Sequence, residues 1–525
     1  MPDLNRLIAA LSKAAAYPEG AGEVKVIQTQ MSVVFLTSEY VYKIKKPVNL
    51  GYVDYTELKN RRHFCEREVA LNQRLCPSAY LGVVPITADG DQLTVEGTGT
   101  PVEYAVKMRH LPEDMLLDKL LQQGKVTPAM MAQVATHVAR FHRNADTNEE
   151  ISRFGSLEAV IRNIEENFGQ TEKYAGDTVS AKQLTVIQDF TRRFVHANDH
   201  LFFKRMQEGH IRDCHGDLHA QHICFCHDLC IFDCIEFNDR FRYGDTASEV
   251  AFLAMDLDRS GRADLARAFV AAYISESGDV DLPSLLNFYK CYRAYIRAKV
   301  NCFKLNDPCI PEAGRQEALI AAQGYFDLAA AYTRTKPLLI IMVGFVGSGK
   351  TTLAQELAGR LGAIYLSSDV TRKTLADVPL TENRHYDPGD GIYSAEFTRR
   401  TYDTLYQEAS QALADGCRVI LDAAFLKKGE RETARQIAAQ TGADCYTIEC
   451  QADTETTRTR LAKRLTQDSI SDGTWNVHLK QQGWFEPLEA DESGCLMVDT
   501  TKPLYQNVRW VLAKLTGDDP GADIK

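Results

Sequence analysis

Two hydrophobic rhythms divide the chain. In the C-terminal part, short apolar runs alternate with stripes at helical spacing. Leu338–Val343 is a run with no polar position, which predicts a strand buried on both faces. Behind it Leu353, Ala354, Leu357, Ala358 and Leu361 recur at helical spacing, and Gly362 supplies a stop. Strands are then predicted at Ala363–Leu366, Arg418–Leu421 and Asp444–Glu449, and helices at Glu396–Asp415, Lys428–Thr441 and Thr454–Leu465. Such βαβ alternation predicts a parallel sheet covered by helices on both faces.

In the N-terminal part the order is looser. Glu23–Ile44 reads as two or three strands joined by polar turns, and Val102–Leu111 as a strand followed by a connector. Leu58–Leu75 is a charge-rich helix, and Thr127–Asn144 a helix with Met130, Met131, Val134, Val138 and Phe141 on one stripe. Two short strands, Ile223–Phe225 and Cys230–Phe232, form a hairpin. Helices follow at Ala247–Leu257, Leu282–Val300 and Ala318–Tyr332. Clustered strands followed by helices indicate an α+β domain. The boundary falls at residues 333–337, giving domains 1–333 and 337–515 and a polar, disordered tail at 516–525. Arg293, Arg297 and Lys299 read as a solvated helix face.

Composition narrows the functional classes. The 525 residues carry a formal net charge of −11, which argues against a broad surface for coating nucleic acid. There is no run of eighteen apolar residues, so no membrane span is expected. Residues 1–20 read as a short amphipathic helix ending near Pro18, without the plan of a secretion signal. The fourteen cysteines show no small-scaffold spacing and are expected to be reduced thiols in a cytoplasmic protein.

The first chemistry lies at Gly344–Thr351, which fits G-x-x-x-x-G-K-[ST] between a strand and a helix. Glycines let the backbone turn its N–H groups toward a phosphate, and the helix N-terminus adds partial positive charge. Gly344, Gly347, Ser348, Gly349, Lys350, Thr351 and Thr352 are therefore the expected nucleotide-binding residues. Lys350 would reach the β/γ-phosphates of ATP and the Thr351 hydroxyl would ligate Mg2+. Asp422, ending the Val-Ile-Leu-Asp strand, is the expected acid on the Mg2+ side. Asp369 and Arg372 follow the second strand as D-x-x-R: a carboxylate to take a proton from an acceptor hydroxyl and a cation to neutralise phosphoryl charge. A helix N-cap is the competing role for Asp369. Arg458, Arg460 and Arg464 lie on one helix before a polar stretch, 466–473, that could close as a flap.

The second chemistry lies between Asp213 and Asp245. His215-Gly-Asp217 precedes the hairpin and Asp233 ends it, so both carboxylates should meet at one edge, one to orient a hydroxyl and one to hold Mg2+. Cys224, Cys226, His227, Cys230 and Cys234 crowd the same hairpin beside His215, His219 and His222. Their spacing does not repeat a C-x2-C pattern, so buried small hydrophobes are expected rather than zinc.

H-G-D-L-H followed sixteen residues later by Asp after an apolar strand resembles the aminoglycoside phosphotransferase and choline kinase group, which shares the protein-kinase-like fold. The resemblance implies Asp217 as catalytic base and Asp233 as metal ligand. It also implies Lys43 as the strand lysine on the α/β-phosphates, paired with Glu68 or else Glu66, and VKMRHL as the connector that holds adenine. Two positions depart from it. The family's second metal ligand is usually Asn, where this chain has His222, a poorer ligand for a hard cation; and the covering turn near Thr29–Ser32 has no glycine. The C-terminal half resembles P-loop kinases of the zeta-toxin and polynucleotide-kinase type, with Asp369 as the implied base and a small molecule or a nucleic-acid 5′-hydroxyl as the implied acceptor. The stretch 377–391, with Arg384, His385 and Tyr386, is expected to shape acceptor choice. The composite resembles proteins described as bifunctional aminoglycoside phosphotransferase/ATP-binding proteins. The expectation is a two-domain kinase using ATP and Mg2+. The alternative is an ATP-driven switch whose N-terminal domain senses a ligand without catalysis.

Overall fold

The computed structural model describes residues 3–18, 22–90, 92–307, 310–380, 391–464, 473–489, 492 and 494–517. The chain divides into two compact units: residues 1–163, 195–256 and 267–289, and residues 164–194, 257–266 and 290–525.

The first unit contains a six-stranded antiparallel sheet of order β1-β2-β3-β6-β4-β5, with β1 Lys25–Gln28, β2 Ser32–Leu36, β3 Tyr40–Lys45, β4 Tyr80–Asp89, β5 Gln92–Val95 and β6 Thr100–Arg109. Val33, Phe35, Tyr42 and Ile44 turn to one core. Lys43 lies between Val34 and Val106 in register, on the opposite face of its strand. The helix Leu58–Asn72 presents Cys65, Glu68 and Val69 inward. It has little apolar periodicity, because two of its buried side chains are ionic: Arg61 pairs with Glu103 at 2.8 Å and Glu68 reaches the strand lysines. Two small antiparallel pairs complete the unit: β7 Ile211–Asp213 with β10 Tyr243–Asp245, and β8 Ile223–Phe225 with β9 Leu229–Ile231.

The second unit carries a parallel sheet of order β12-β13-β11-β14-β15: β11 Leu338–Val343, β12 Ile364–Ser367, β13 Arg418–Asp422, β14 Asp444–Gln451 and β15 Cys495–Asp499. All six residues of β11 are buried because helices cover both faces. Ile340 and Met342 pack with Leu353, Leu357, Leu361 and Val508; Leu339, Ile341 and Val343 pack with Leu405, Ala409, Leu413 and Ala434. The register pairs Met342 and Ser367 with Asp422, so the P-loop, the end of β12 and Asp422 meet at the strands' carboxyl ends.

Several elements lack a sequence signal. β4 contains Gly82 and Pro85, which argue against a strand. β5 pairs only with Ile86–Asp89, so Pro85 owes no N–H on that side. The helices Leu157–Thr171, Ala181–Ala197, Trp475–Trp484 and Leu504–Thr516 and the strand β15 were also not expected. Two expectations fail. Cys76 and Cys230 form a disulfide across a sequence separation of 154, so not every cysteine is a reduced thiol. Arg297 and Lys299 are not a solvated face: Arg297 stacks on Tyr325 and Lys299 donates to Asn167 at 2.6 Å and Gln170 at 2.9 Å. Among the described residues, no helix is long and apolar enough to cross a membrane. Arg384, His385, Tyr386, most of the flap at 466–473 and the tail beyond 517 lie outside the described residues.

Candidate active sites

In the second unit the loop after β11 closes on itself. Gly344 has φ 142° and Gly349 φ 86°. A Cβ on Gly344 would stand 2.6 Å from the Cys450 carbonyl oxygen, which belongs to β14 and cannot retreat. The Ser348 hydroxyl is buried without a hydrogen-bond partner among the described residues. A loop with glycine-only curvature and an unsatisfied buried hydroxyl is a cradle for an anion. Lys350 opens the helix Lys350–Leu361 and donates to the Phe345 carbonyl at 2.8 Å, which folds the ammonium back over the loop. Burial holds its pKa below the ordinary value, against the opposing pull of Asp422. Thr351 donates to Asp422 Oδ2 at 2.8 Å, and Tyr365 donates to the same oxygen at 2.6 Å. Burial raises the Asp422 carboxyl, with Lys350 acting against it. Thr351 and Asp422 offer oxygen only, the donor set a hard cation prefers, so Mg2+ fits between them. Thr352 is exposed in the first helical turn.

Asp369 occupies the first turn of the helix Ser368–Leu375, whose N-cap is Ser367; it is not the cap. Its charge acts on both Lys350 and Asp422. Arg372 is buried and directed elsewhere. It donates to the Ile392 carbonyl at 2.6 Å and to Thr398 at 3.1 Å, and lies over the Tyr393 ring. These contacts pin the segment leading into the helix Ala395–Ala414, so in this structure the Arg372 guanidinium holds that segment and is not turned to the phosphate loop as expected. Arg460 also departs from expectation. Its guanidinium donates to Thr500 Oγ1 at 2.9 Å and to the Thr500 carbonyl at 2.6 Å, and the Thr500 hydroxyl donates to the Ser348 carbonyl at 2.7 Å. Arg464, at the end of the helix Thr454–Arg464, adds positive field at Lys350. Arg458 lies over the Trp475 ring.

Sequence reasoning missed three residues that hold the loop. Gln481 Oε1 accepts the Val346 N–H at 2.7 Å, and His478 Nδ1 donates to the Val346 carbonyl at 3.0 Å. Thr500 is the third. No motif marks them. Gln481 and His478 are three apart on the helix Trp475–Trp484 and share a face, but only the fold shows what that face meets.

In the first unit, Lys43 pairs with Glu68 at 2.8 Å and with Asp233 at 2.9 Å, which decides for Glu68 over Glu66. Glu66 instead pairs with Arg62 at the surface. Burial would lower the Lys43 pKa, but Asp233 and Glu68 outweigh it and hold it well above the ordinary value. Lys45, also buried, contacts Glu68 and Glu236. Asp233 has φ 62°, a backbone strain of the kind kept at working sites, and its N–H donates to the Tyr80 hydroxyl at 3.2 Å. His222 stands between the two acids: Nδ1 is 3.5 Å from Asp217 Oδ2 and Nε2 is 3.6 Å from Asp233 Oδ2. The hairpin therefore brings Asp217 and Asp233 to one edge as expected. Burial holds the His222 pKa below the ordinary value. The loop before Asp217 is anchored by Glu249, whose carboxylate accepts the His215 N–H at 3.1 Å and the Gly216 N–H at 2.6 Å and pairs with His142 at 2.8 Å. The turn at 29–32, which lacks glycine, is closed by the Thr29 side chain, which accepts the Ser32 N–H at 3.0 Å. Among the hairpin cysteines, Cys224 and Cys230 face each other across the strands and Cys230 is bonded to Cys76; no metal-sized cluster of them occurs among the described residues.

Comparison with known proteins finds two different families along the chain. Residues 34–285 match the model of the phosphotransferase enzyme family, and residues 339–488 match that of an AAA domain. Among solved structures, a gluconokinase from Sinorhizobium meliloti 1021 is 20% identical, with 35% of this chain and 94% of that chain covered and a TM-score of 0.27. A choline/ethanolamine kinase family protein from Mesorhizobium loti is 13% identical, covering 63% and 99%, with a TM-score of 0.38. The uncharacterized protein Rv2004c of Mycobacterium tuberculosis is 30% identical over 475 residues, 90% of this chain and 93% of that protein. An uncharacterized protein of Mycobacterium bovis matches to the same extent. The chain therefore belongs to the same family as these mycobacterial proteins, and it joins a kinase-like domain of the phosphotransferase enzyme family to a P-loop kinase domain.

Proposed function

We propose that the second unit transfers the γ-phosphoryl group of ATP to a hydroxyl acceptor, and that the first unit binds a second ATP as a small-molecule kinase of the phosphotransferase type. The observation that carries the reading is the convergence of Lys350, the Thr351–Asp422 pair and the Asp369 charge beside a loop with an unsatisfied buried hydroxyl. Loop amides and the Ser348 hydroxyl hold the phosphates, and Lys350 moves from the Phe345 carbonyl to the terminal phosphate oxygens. Mg2+, held by Thr351 and Asp422, neutralises phosphate charge when bound. Asp369 accepts the proton of the attacking hydroxyl, and Arg464 adds positive charge near the transferring group. In the first unit Lys43, fixed by Glu68, serves the nucleotide and Asp217 the acceptor hydroxyl.

The test is radiolabelled ATP with a metabolite extract and an oligonucleotide pool, using protein whose first unit is silenced by Asp217→Asn and which is either wild type at Asp369 or carries Asp369→Asn. We expect labelled acceptor from the wild type, lost by on the order of 100-fold or more in Asp369→Asn with ATP affinity unchanged. If Asp369→Asn leaves labelling intact, Asp369 is not the base. If the wild type labels nothing while hydrolysing ATP, the second unit is a nucleotide-driven switch.

A further inference from the structure

The metal position of the first unit is not built for the ion that phosphotransferases usually employ. His222 Nδ1 donates to the Asp217 carbonyl oxygen at 3.0 Å, so the ring proton sits on Nδ1 and Nε2 carries the lone pair. Nε2 faces Asp233 Oδ2 at 3.6 Å. Asp233 Oδ1 is occupied separately by Lys43 at 2.9 Å. Two electron-pair donors thus confront each other across a gap that only a cation or a proton can fill. Two ligands at about 2.1 Å from one ion and about 90–110° apart lie about 3.0–3.5 Å from each other, close to the observed separation. A ring N–H given to a backbone carbonyl is also the usual way a metal-binding imidazole is oriented.

His219 has the opposite tautomer. Its Nδ1 accepts the Gln221 N–H at 3.3 Å, so Nε2 carries the proton and points it at Asp217 Oδ2, 3.4 Å away. His219 therefore orients Asp217 and is not a ligand. The surrounding charge is uneven: Glu68, Glu236, Asp217 and Asp233 are four carboxylates against the two ammonium groups of Lys43 and Lys45. One divalent cation would balance them.

We propose that His222 Nε2 and Asp233 Oδ2 form a site for a first-row transition dication, Mn2+, Co2+ or Zn2+, in preference to Mg2+. Imidazole nitrogen suits these ions and is a poor replacement for oxygen at Mg2+. What the ion serves rests on the proposed nucleotide site of this unit, but its binding does not.

The test uses the full chain without nucleotide. Co2+ is titrated by visible absorption and Mn2+ by loss of the free-ion EPR signal, with Mg2+ as competitor, on wild type, His222→Asn and Asp233→Asn. We expect a nitrogen- and oxygen-ligated Co2+ spectrum and at least tenfold preference for Mn2+ over Mg2+. His222→Asn should weaken Co2+ binding at least tenfold and remove the preference; Asp233→Asn should lose the ion. Near-UV circular dichroism checks folding, and Asp233→Asn decides if His222→Asn does not fold. A Co2+ spectrum indifferent to both variants, a thiolate charge-transfer band, or equal competition by Mg2+ overturns the assignment. Repeating the titration with ATP in a Lys350→Met background, which removes the second unit's nucleotide lysine, separates the two readings: a site that binds Mn2+ but never ATP refutes the nucleotide role and leaves the metal site standing.

Discussion

Arg460→Ala tests how the phosphate loop is held. The guanidinium makes two bonds to Thr500, at 2.9 and 2.6 Å, and Thr500 passes the constraint to the Ser348 carbonyl at 2.7 Å. Hydrogen bonds from a charged donor contribute about 1.5–3 kcal/mol when buried. Arg460 is only partly buried, so a total of about 1.5–2 kcal/mol for the pair is reasonable after screening. If that energy holds the loop in its binding form, its loss weakens ATP by roughly 10- to 30-fold, at about 1.4 kcal/mol per tenfold. The assay is calorimetric ATP binding in a Lys43→Met background, which removes the first unit's lysine, together with the rate of ATP turnover at saturation. Thr500→Val should weaken ATP similarly. The double variant should be no worse than either single one, because both break one chain of contacts. Unchanged affinity with turnover reduced on the order of 100-fold would refute this, and would instead make Arg460 a direct stabiliser of the transferring group.

Other consequences can be checked more briefly. In the same Lys43→Met background, Gly344→Ala should abolish measurable ATP binding to the second unit, since its Cβ would meet the Cys450 carbonyl oxygen at 2.6 Å; retained affinity in calorimetry would mean the loop can shift. Burial by itself would raise the Glu249 carboxyl, but its bonds to His142 and the His215 N–H outweigh that and lower its pKa from 4.5 to about 2. Its stabilisation is therefore present above pH 4.5 and lost as pH falls toward 2, with a ceiling of about 3 kcal/mol. Urea unfolding across that range should show Glu249→Gln less stable at neutral pH and flatter in acid. Reducing Cys76–Cys230 should lower stability by about 2–5 kcal/mol. Denatured, unreduced protein should titrate two thiols fewer than the fourteen cysteines.

The residues legible beforehand are those whose chemistry is local. The P-loop is a contiguous phosphate nest, so strand, glycines, lysine and threonine are read from neighbours in sequence. Asp422 ends an apolar strand, and Asp217 and Asp233 flank one short hairpin; Lys43 carries no local motif and is implied only by the resemblance to the aminoglycoside phosphotransferase group. The parallel sheet follows from its period, because burial on both faces of β11 demands an unbroken apolar run.

Tertiary structure decided everything that depends on which distant side chain arrives. Arg372 and Arg460 read as phosphate ligands because arginine beside a P-loop is usually free to turn inward; here nearby carbonyls and hydroxyls took the guanidinium groups first. Glu68 and Glu66 lie two apart on one helix, and only packing turned one to Lys43 and the other to Arg62. The Cys76–Cys230 bond and the Gln481–Val346 clasp join residues 154 and 135 positions apart. A local pattern fixes what a side chain can do; its partner is chosen by the long-range contacts that bring the chain together, which no window of the sequence contains.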